Sequence, residues 1–160
     1  MGAELRSRKT INFRICGETD LPSVQSMVNE LYACDPQTPD VRPDVGKTYR
    51  ELSQHPEKGR LIVFENGHEI VGYCIIIFFW SNEYGGNIVD LDETFVREDC
   101  RGTGIGTDLF AWLEKTYPDN LAGFSLQTAE DNHAAHGLAK KIGFKLSRNQ
   151  HLIMPRQTSN

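Results

Sequence analysis

The sequence has no apolar run of the roughly 18 residues needed to cross a bilayer. Its longest apolar stretch, residues 70–80, is interrupted by Gly72 and reads as a buried strand. The first ten residues, M-G-A-E-L-R-S-R-K-T, lack the apolar centre of a secretory signal. Cysteine is sparse, with Cys16, Cys34, Cys74 and Cys100 widely scattered and no C-x-x-C pair. Free thiols in a reducing, cytoplasmic compartment are therefore expected, and a metal site is not. Positive charge is also short. The 160-residue chain carries 17 Lys and Arg against 22 Asp and Glu, a formal net charge of −5, which speaks against nucleic acid or an anionic membrane as partner. Internal repeats and low-complexity linkers are missing too, so one domain over 1–160 is expected, with loose tails at 1–9 and 156–160.

What is present alternates regular elements with turn signals. Residues 10–16 alternate Ile11, Phe13 and Ile15 with polar neighbours, as a half-buried strand does. Thr19 or Asp20 caps a helix that carries Val24, Met27, Val28 and Leu31 to about Tyr32, with Pro22 tolerated in its first turn. The stretch 34–44 holds Pro36, Pro39 and Pro43 with Asp35, Asp40 and Asp44, a stiff exposed loop, and a short helix over 45–54 follows. Residues 60–65 form a strand, Asn66-Gly67 favours a type I′ turn, and 69–80 return as a long apolar strand central to a sheet. A turn at 83–86 leads to a third antiparallel strand, 87–96. The next helix runs to about Tyr117, where Pro118 stops it, and 121–128 is a strand parallel to 87–96 because a helix intervenes. Asp131 or Asn132 caps a last helix with Ala135, Leu138, Ala139 and Ile142, closed by Gly143, and 144–146 and 151–154 are expected as closing strands. This order is that of an α+β domain whose sheet is mostly antiparallel with one parallel crossover.

The chain is organised around residues 96–107, V-R-E-D-C-R-G-T-G-I-G-T. A strand enters it and an amphipathic helix leaves it through Leu109, Phe110, Trp112 and Leu113. A glycine-rich turn running into a helix N-terminus gathers backbone N–H groups and partial positive charge at one point, which suits phosphate or pyrophosphate. The dinucleotide fingerprint G-x-G-x-x-G is excluded because position 107 is Thr107, and the nucleoside-triphosphate loop because no Lys-Ser or Lys-Thr follows the glycines.

The remaining pattern resembles the acetyl-CoA signature of the GNAT superfamily of N-acetyltransferases, R/Q-x-x-G-x-G/A, through Arg101, Gly104 and Gly106. N-H-A-A-H-G-L-A-K-K-I-G-F at 132–144 is similar to the family's N-x-x-A-x-x-L-Y-x-x-x-G-F at Asn132, Ala135, Leu138, Gly143 and Phe144. The element order resembles the family's along nearly the whole chain. The resemblance implies a mixed, mostly antiparallel central sheet flanked by helices on both faces. It implies acetyl-CoA as cofactor, held by Phe95, Val96, Arg101, Gly102, Thr103, Gly104, Ile105, Gly106, Thr107 and Asn132. It further implies direct transfer of the acetyl group to a primary amine, most readily of a small molecule, and it leaves room for a homodimer. Acetylation of a protein N-terminus or lysine, or acyl-CoA sensing without transfer, are the alternatives.

Such a transfer needs the cofactor held, the thioester carbonyl polarised, the amine deprotonated and the thiolate released. The turn serves the first need, and Arg101 either pairs with a phosphate or holds the loop. The resemblance gives the second to a backbone N–H near Val96. At a pKa near 10.4, roughly one alkylamine in two thousand is neutral at pH 7, so a carboxylate base is needed. Asp92 and Glu93, in L-D-E-T-F-V, are the candidates, and strand alternation predicts that only one of them reaches the cleft. The family's usual acid, a tyrosine, falls at Ala139, and His136 on the same helix could replace it. Asp35, Asp40, Asp44, Glu83 and Tyr84 are the loop residues suited to a cationic amine.

Overall fold

A computed structural model describes residues 10–34, 41–117, 119–148 and 152–154. Two compact units are present, one reaching Gln127 and one starting at Thr128. The first is built on two successive hairpins. Strands β2 (Gly59–Asn66) and β3 (Glu69–Ser81) pair antiparallel from Asn66 opposite Glu69, which makes Gly67 and His68 the turn. Of the two only Gly67 takes a positive φ, +65°, the requirement of a II′ turn and not of the I′ turn expected at Asn66-Gly67. Strand β4 (Gly86–Val96) pairs antiparallel with β3. The short β1 (Asn12–Ile15) adds to the free edge of β2, and β5 (Leu121–Leu126) runs parallel to β4, giving the order β1-β2-β3-β4-β5. The central position expected for β3 follows from its composition: Val71–Ile76 are buried whichever face they point to.

Alternation along the strands sends neighbouring residues to opposite layers. Leu61, Val63, Tyr73, Ile75 and Phe95 pack with Val24, Met27 and Val28 of α1 (Leu21–Ala33) and with Val45 and Leu52 of α2 (Val45–Gln54). On the other face α3 (Ile105–Thr116) brings Trp112 against Phe13, ring centroids 5.9 Å apart, and Phe110 edge-on to Phe124 at 5.4 Å. Phe13 also meets Phe64 edge-on at 5.2 Å. Helices thus cover both faces of the sheet, as the family resemblance implied.

Capping departs from expectation at α1. Asp20 holds the N-cap position, but its carboxylate turns back to accept from the Gly17 N–H and from Arg14. At α2 the Asp44 carboxylate accepts from the Gly46 N–H at 2.9 Å. Asp35, Pro36, Pro39 and Asp40 lie outside the described residues, as do the tails at 1–9 and 156–160.

The second unit contains α4 (His133–Ile142), capped by the Asn132 side chain, which accepts from the Ala135 N–H, and closed by Gly143 at φ +111°. The closing strands expected at 144–146 and 151–154 do not form among the described residues, where Leu146, Leu152, Ile153 and Met154 are exposed. Apolar spacing marks a strand only where a neighbouring ladder receives it. No helix of the described residues is long and apolar enough to cross a membrane.

Candidate active site

The two candidate carboxylates sit at a break in the β3–β4 register. Ile75 lies opposite Glu93, but the next pair is Ile76 with Leu91, so Asp92 is an extra residue on β4. Such a bulge interrupts the alternation of side chains. Asp92 and Glu93 therefore both line one pocket, of about 520 Å3, and the expectation that only one would reach the cleft is overturned. Val28 and Tyr32 of α1, Val45 and Leu52 of α2, and Ile75 and Ile77 of β3 supply its apolar wall. Half-buried Glu93 accepts hydrogen bonds from two tyrosine hydroxyls, Tyr32 at 2.8 Å on Oε2 and Tyr73 at 2.6 Å on Oε1. Asp92 is open to solvent on one side, yet the loss of hydration on the other, followed by the charge of Asp90, raises its carboxyl above the ordinary range.

Neither tyrosine was singled out from the sequence. Tyr32 ended a helix and Tyr73 lay within a long apolar strand, and nothing local connects them to Glu93. The loop residues first considered for the substrate fare differently: Asp44 is engaged as a helix cap, while Glu83 and Tyr84 sit in the β3–β4 turn outside this pocket.

The glycine-rich stretch begins where β4 loses its second neighbour. Pairing with β5 ends at Leu91, after which β4 runs on to Val96 against β3 alone. The Arg97 N–H donates to the Val71 carbonyl at 2.9 Å, so alternation turns the Phe95 N–H toward β3 as well and the Val96 N–H to the open side. On that side the Val96 carbonyl accepts from Arg101 Nε at 2.7 Å, and the exposed Arg101 guanidinium also lies over the Phe95 ring. The Arg101 side chain thus braces the end of β4, the loop-holding contact of its two expected roles. The Phe95 ring itself is buried and stacked on Tyr73.

Beyond Arg101, Gly102 and Gly104 adopt φ of +72° and +94°, a region costly to residues with a Cβ. The Thr103 hydroxyl donates to the Cys100 carbonyl and braces the turn. Gly104 is the N-cap of α3 and provides no side-chain cap. Its carbonyl accepts from the Asp108 N–H at 3.0 Å, the first bond of the helix, so the N–H groups of Ile105, Gly106 and Thr107 point out of its start. Free amides, a helix dipole and glycines without Cβ atoms form a cradle that fits a pyrophosphate.

Residues 25–144 match the model of the acetyltransferase (GNAT) family. The chain belongs to that family. Among its GNAT relatives, a Bacillus subtilis (strain 168) protein provisionally named ribosomal protein bS18-alanine N-acetyltransferase is 30% identical over 98 residues. That match covers 61% of this chain and 60% of the relative, so less than two thirds of the latter is represented. Two solved structures share the fold. The ribosomal-protein-alanine N-acetyltransferase from Brucella melitensis biovar Abortus 2308 has a TM-score of 0.72 at 14% identity, over 91% of this chain and 99% of that one. The aminoglycoside N-acetyltransferase AAC(6')-Iy in complex with CoA has a TM-score of 0.68 at 15% identity, over 94% and 97%.

The signature at 132–144 and His136 lie in the second unit. The Asn132 amide oxygen caps α4, which accounts for that residue structurally. His136 Nε2 lies 3.1 Å from the Ala129 carbonyl, a contact that requires a proton on that nitrogen and that competes with any role as an acid. Cys100, beside the turn, is buried.

Proposed function

We propose that this GNAT chain transfers the acetyl group of acetyl-CoA directly to a primary amine of a small cationic molecule, in the reducing cytoplasm that its scattered cysteines, with no C-x-x-C pair, suit. The observation that carries the reading is the pocket with two carboxylates on its wall, built on the strand whose end, beyond its pairing with β5, runs into the glycine cradle. Bound acetyl-CoA supplies an activated acyl carbon on a thiolate leaving group. Around it, Gly102–Thr107 present main-chain N–H groups to the pyrophosphate and Val96 presents its N–H to the thioester carbonyl. Asp92 and Glu93 receive the ammonium and take its proton, and the apolar wall of Val28, Leu52 and Ile77 accommodates the carbon chain that bears it.

A second reading rests on the Bacillus subtilis relative, whose name specifies the alanine of a ribosomal protein as acceptor. A peptide N-terminus is also a primary amine, and the same two acids would serve it. The test is a thiol-release assay with acetyl-CoA against polyamines, aminoglycosides, amino acids and short peptides beginning with alanine. Release that depends on small amines supports the main reading, whereas release that depends only on peptides transfers the assignment to the second. Tight acetyl-CoA binding without any release would make the protein a sensor.

A further inference from the structure

Tyr32 stands near the end of α1 and Tyr73 in the middle of β3, yet their hydroxyls meet on one side chain. Each donates to a different oxygen of Glu93, at 2.8 and 2.6 Å, so the plane of that carboxylate is fixed from two separate elements. Tyr73 is fully buried and stacked on Phe95, which makes it a rigid anchor. The bulge places Asp92 beside Glu93 on the same wall, with an exposed carboxylate that no donor among the described residues reaches. Adjacent acids in settings this unequal are suited to different tasks. Building on the amine acetylation above, we propose that Asp92 takes the proton of the substrate ammonium, while Glu93, held by Tyr32 and Tyr73, receives and aims the amine.

On this assignment Tyr32 and Tyr73 are positioning residues, acting through Glu93. Each oxygen of Glu93 already accepts from a phenol, whereas Asp92 carries no such bond among the described residues. The charged and titratable groups facing the acids are Tyr32 from α1, Lys47 and Glu51 from α2, Tyr73 and Cys74 from β3, and Asp90 on β4. Glu51 is paired with Lys58. Partial dehydration and the neighbouring Asp90 raise the Asp92 carboxyl above its ordinary value, which favours proton uptake there. One ammonium proton passes to Asp92. The freed nitrogen pair forms the C–N bond as the C–S bond breaks with its pair on sulfur. The second nitrogen proton goes to that sulfur, and Asp92 returns its own to solvent.

The test is steady-state kinetics and amine-binding calorimetry on the full chain, using acetyl-CoA and the best amine from the panel across pH, for wild type, Asp92→Asn, Glu93→Gln and Tyr32→Phe. Asp92→Asn is expected to lower kcat by about 100-fold or more and to remove the acid limb of its pH profile. Glu93→Gln and Tyr32→Phe are expected to raise the amine KM and Kd about tenfold while keeping that limb. The double variant Tyr32→Phe/Glu93→Gln should bind amine no worse than Glu93→Gln alone, because the tyrosine works through the acid. Loss of the limb in Glu93→Gln with its survival in Asp92→Asn would overturn the division, as would fully additive binding losses in the double variant. A wild type that releases thiol with no amine would overturn the acetylation reading and this inference together.

Discussion

Gly104 carries the glycine-rich turn on a backbone angle of +94°, and a Cβ built there meets nothing within 4 Å. Space is therefore not the constraint; conformation is. Gly104→Ala is expected to lower stability by about 1 kcal/mol, the ordinary cost of a left-handed L residue. It should weaken acetyl-CoA binding by more than that loss explains, since relaxing the angle re-aims the Ile105 and Gly106 N–H groups. Calorimetry with CoA, beside thermal melts, separates the two effects, and unchanged affinity would remove the turn from the cofactor site. The turn and the pair of acids were legible in the sequence because each is local: spacing among glycines, and an acid beside an acid. Tyr32 and Tyr73 were not, because they lie 61 and 20 residues from the carboxylate they hold. A phenol in an amphipathic helix or an apolar strand looks the same whether or not it has such a partner.

Strands and helices were read well where periodicity decides them, and less well where two elements decide together. The antiparallel run β2-β3-β4 and the parallel β5 follow from apolar stretches and from what separates them. The bulge at Asp92 does not, because register belongs to a pair of strands, and a single extra residue leaves the composition of each unchanged. At 144–146 and 152–154 no strand forms among the described residues for a related reason, since a strand needs a ladder as well as apolar spacing. Gly72 shows how close the β3–β4 pair runs. It lies opposite Val96, and a Cβ on it would stand 2.6 Å from the Phe95 carbonyl oxygen and 2.5 Å from the Phe64 ring. Gly72→Ala should cost about 2 kcal/mol through overpacking. It should also lower kcat/KM of the folded protein, because β4 is displaced at the residue whose N–H faces the open side. Urea unfolding and kinetics on the same sample test this; a stability loss with unchanged kcat/KM would argue against Val96 as the carbonyl donor.

Across the whole molecule, burial sorts both thiols and charges. Cys16 and Cys74 are buried and their thiols pushed up to about 12 by lost hydration, Cys100 is buried beside the turn, and Cys34 alone is exposed. A disulfide reagent at pH 8 should therefore label one thiol rapidly in the native protein and all four after denaturation; two or more rapid equivalents would contradict this packing. Charge burial is concentrated at Arg14. From β1 it donates to Asp20 at 2.7 and 3.0 Å, at the start of α1, and to Glu65 of β2 at 2.9 Å, while Asp20 is only 8% exposed. Removing the guanidinium strands a buried carboxylate, so Arg14→Met should cost about 2 kcal/mol at neutral pH. Arg14 also holds the Asp20 carboxyl below its ordinary value of 3.8, which means the native state takes up that proton less readily than the unfolded chain. The stabilisation is then complete above the unfolded value and disappears as pH falls through the lower native one. Wild type should accordingly lose stability in acid more steeply than Arg14→Met, with their melting temperatures converging as pH falls below the lowered native value. A gap independent of pH would assign the loss instead to the aliphatic stem of the arginine packing against the sheet edge.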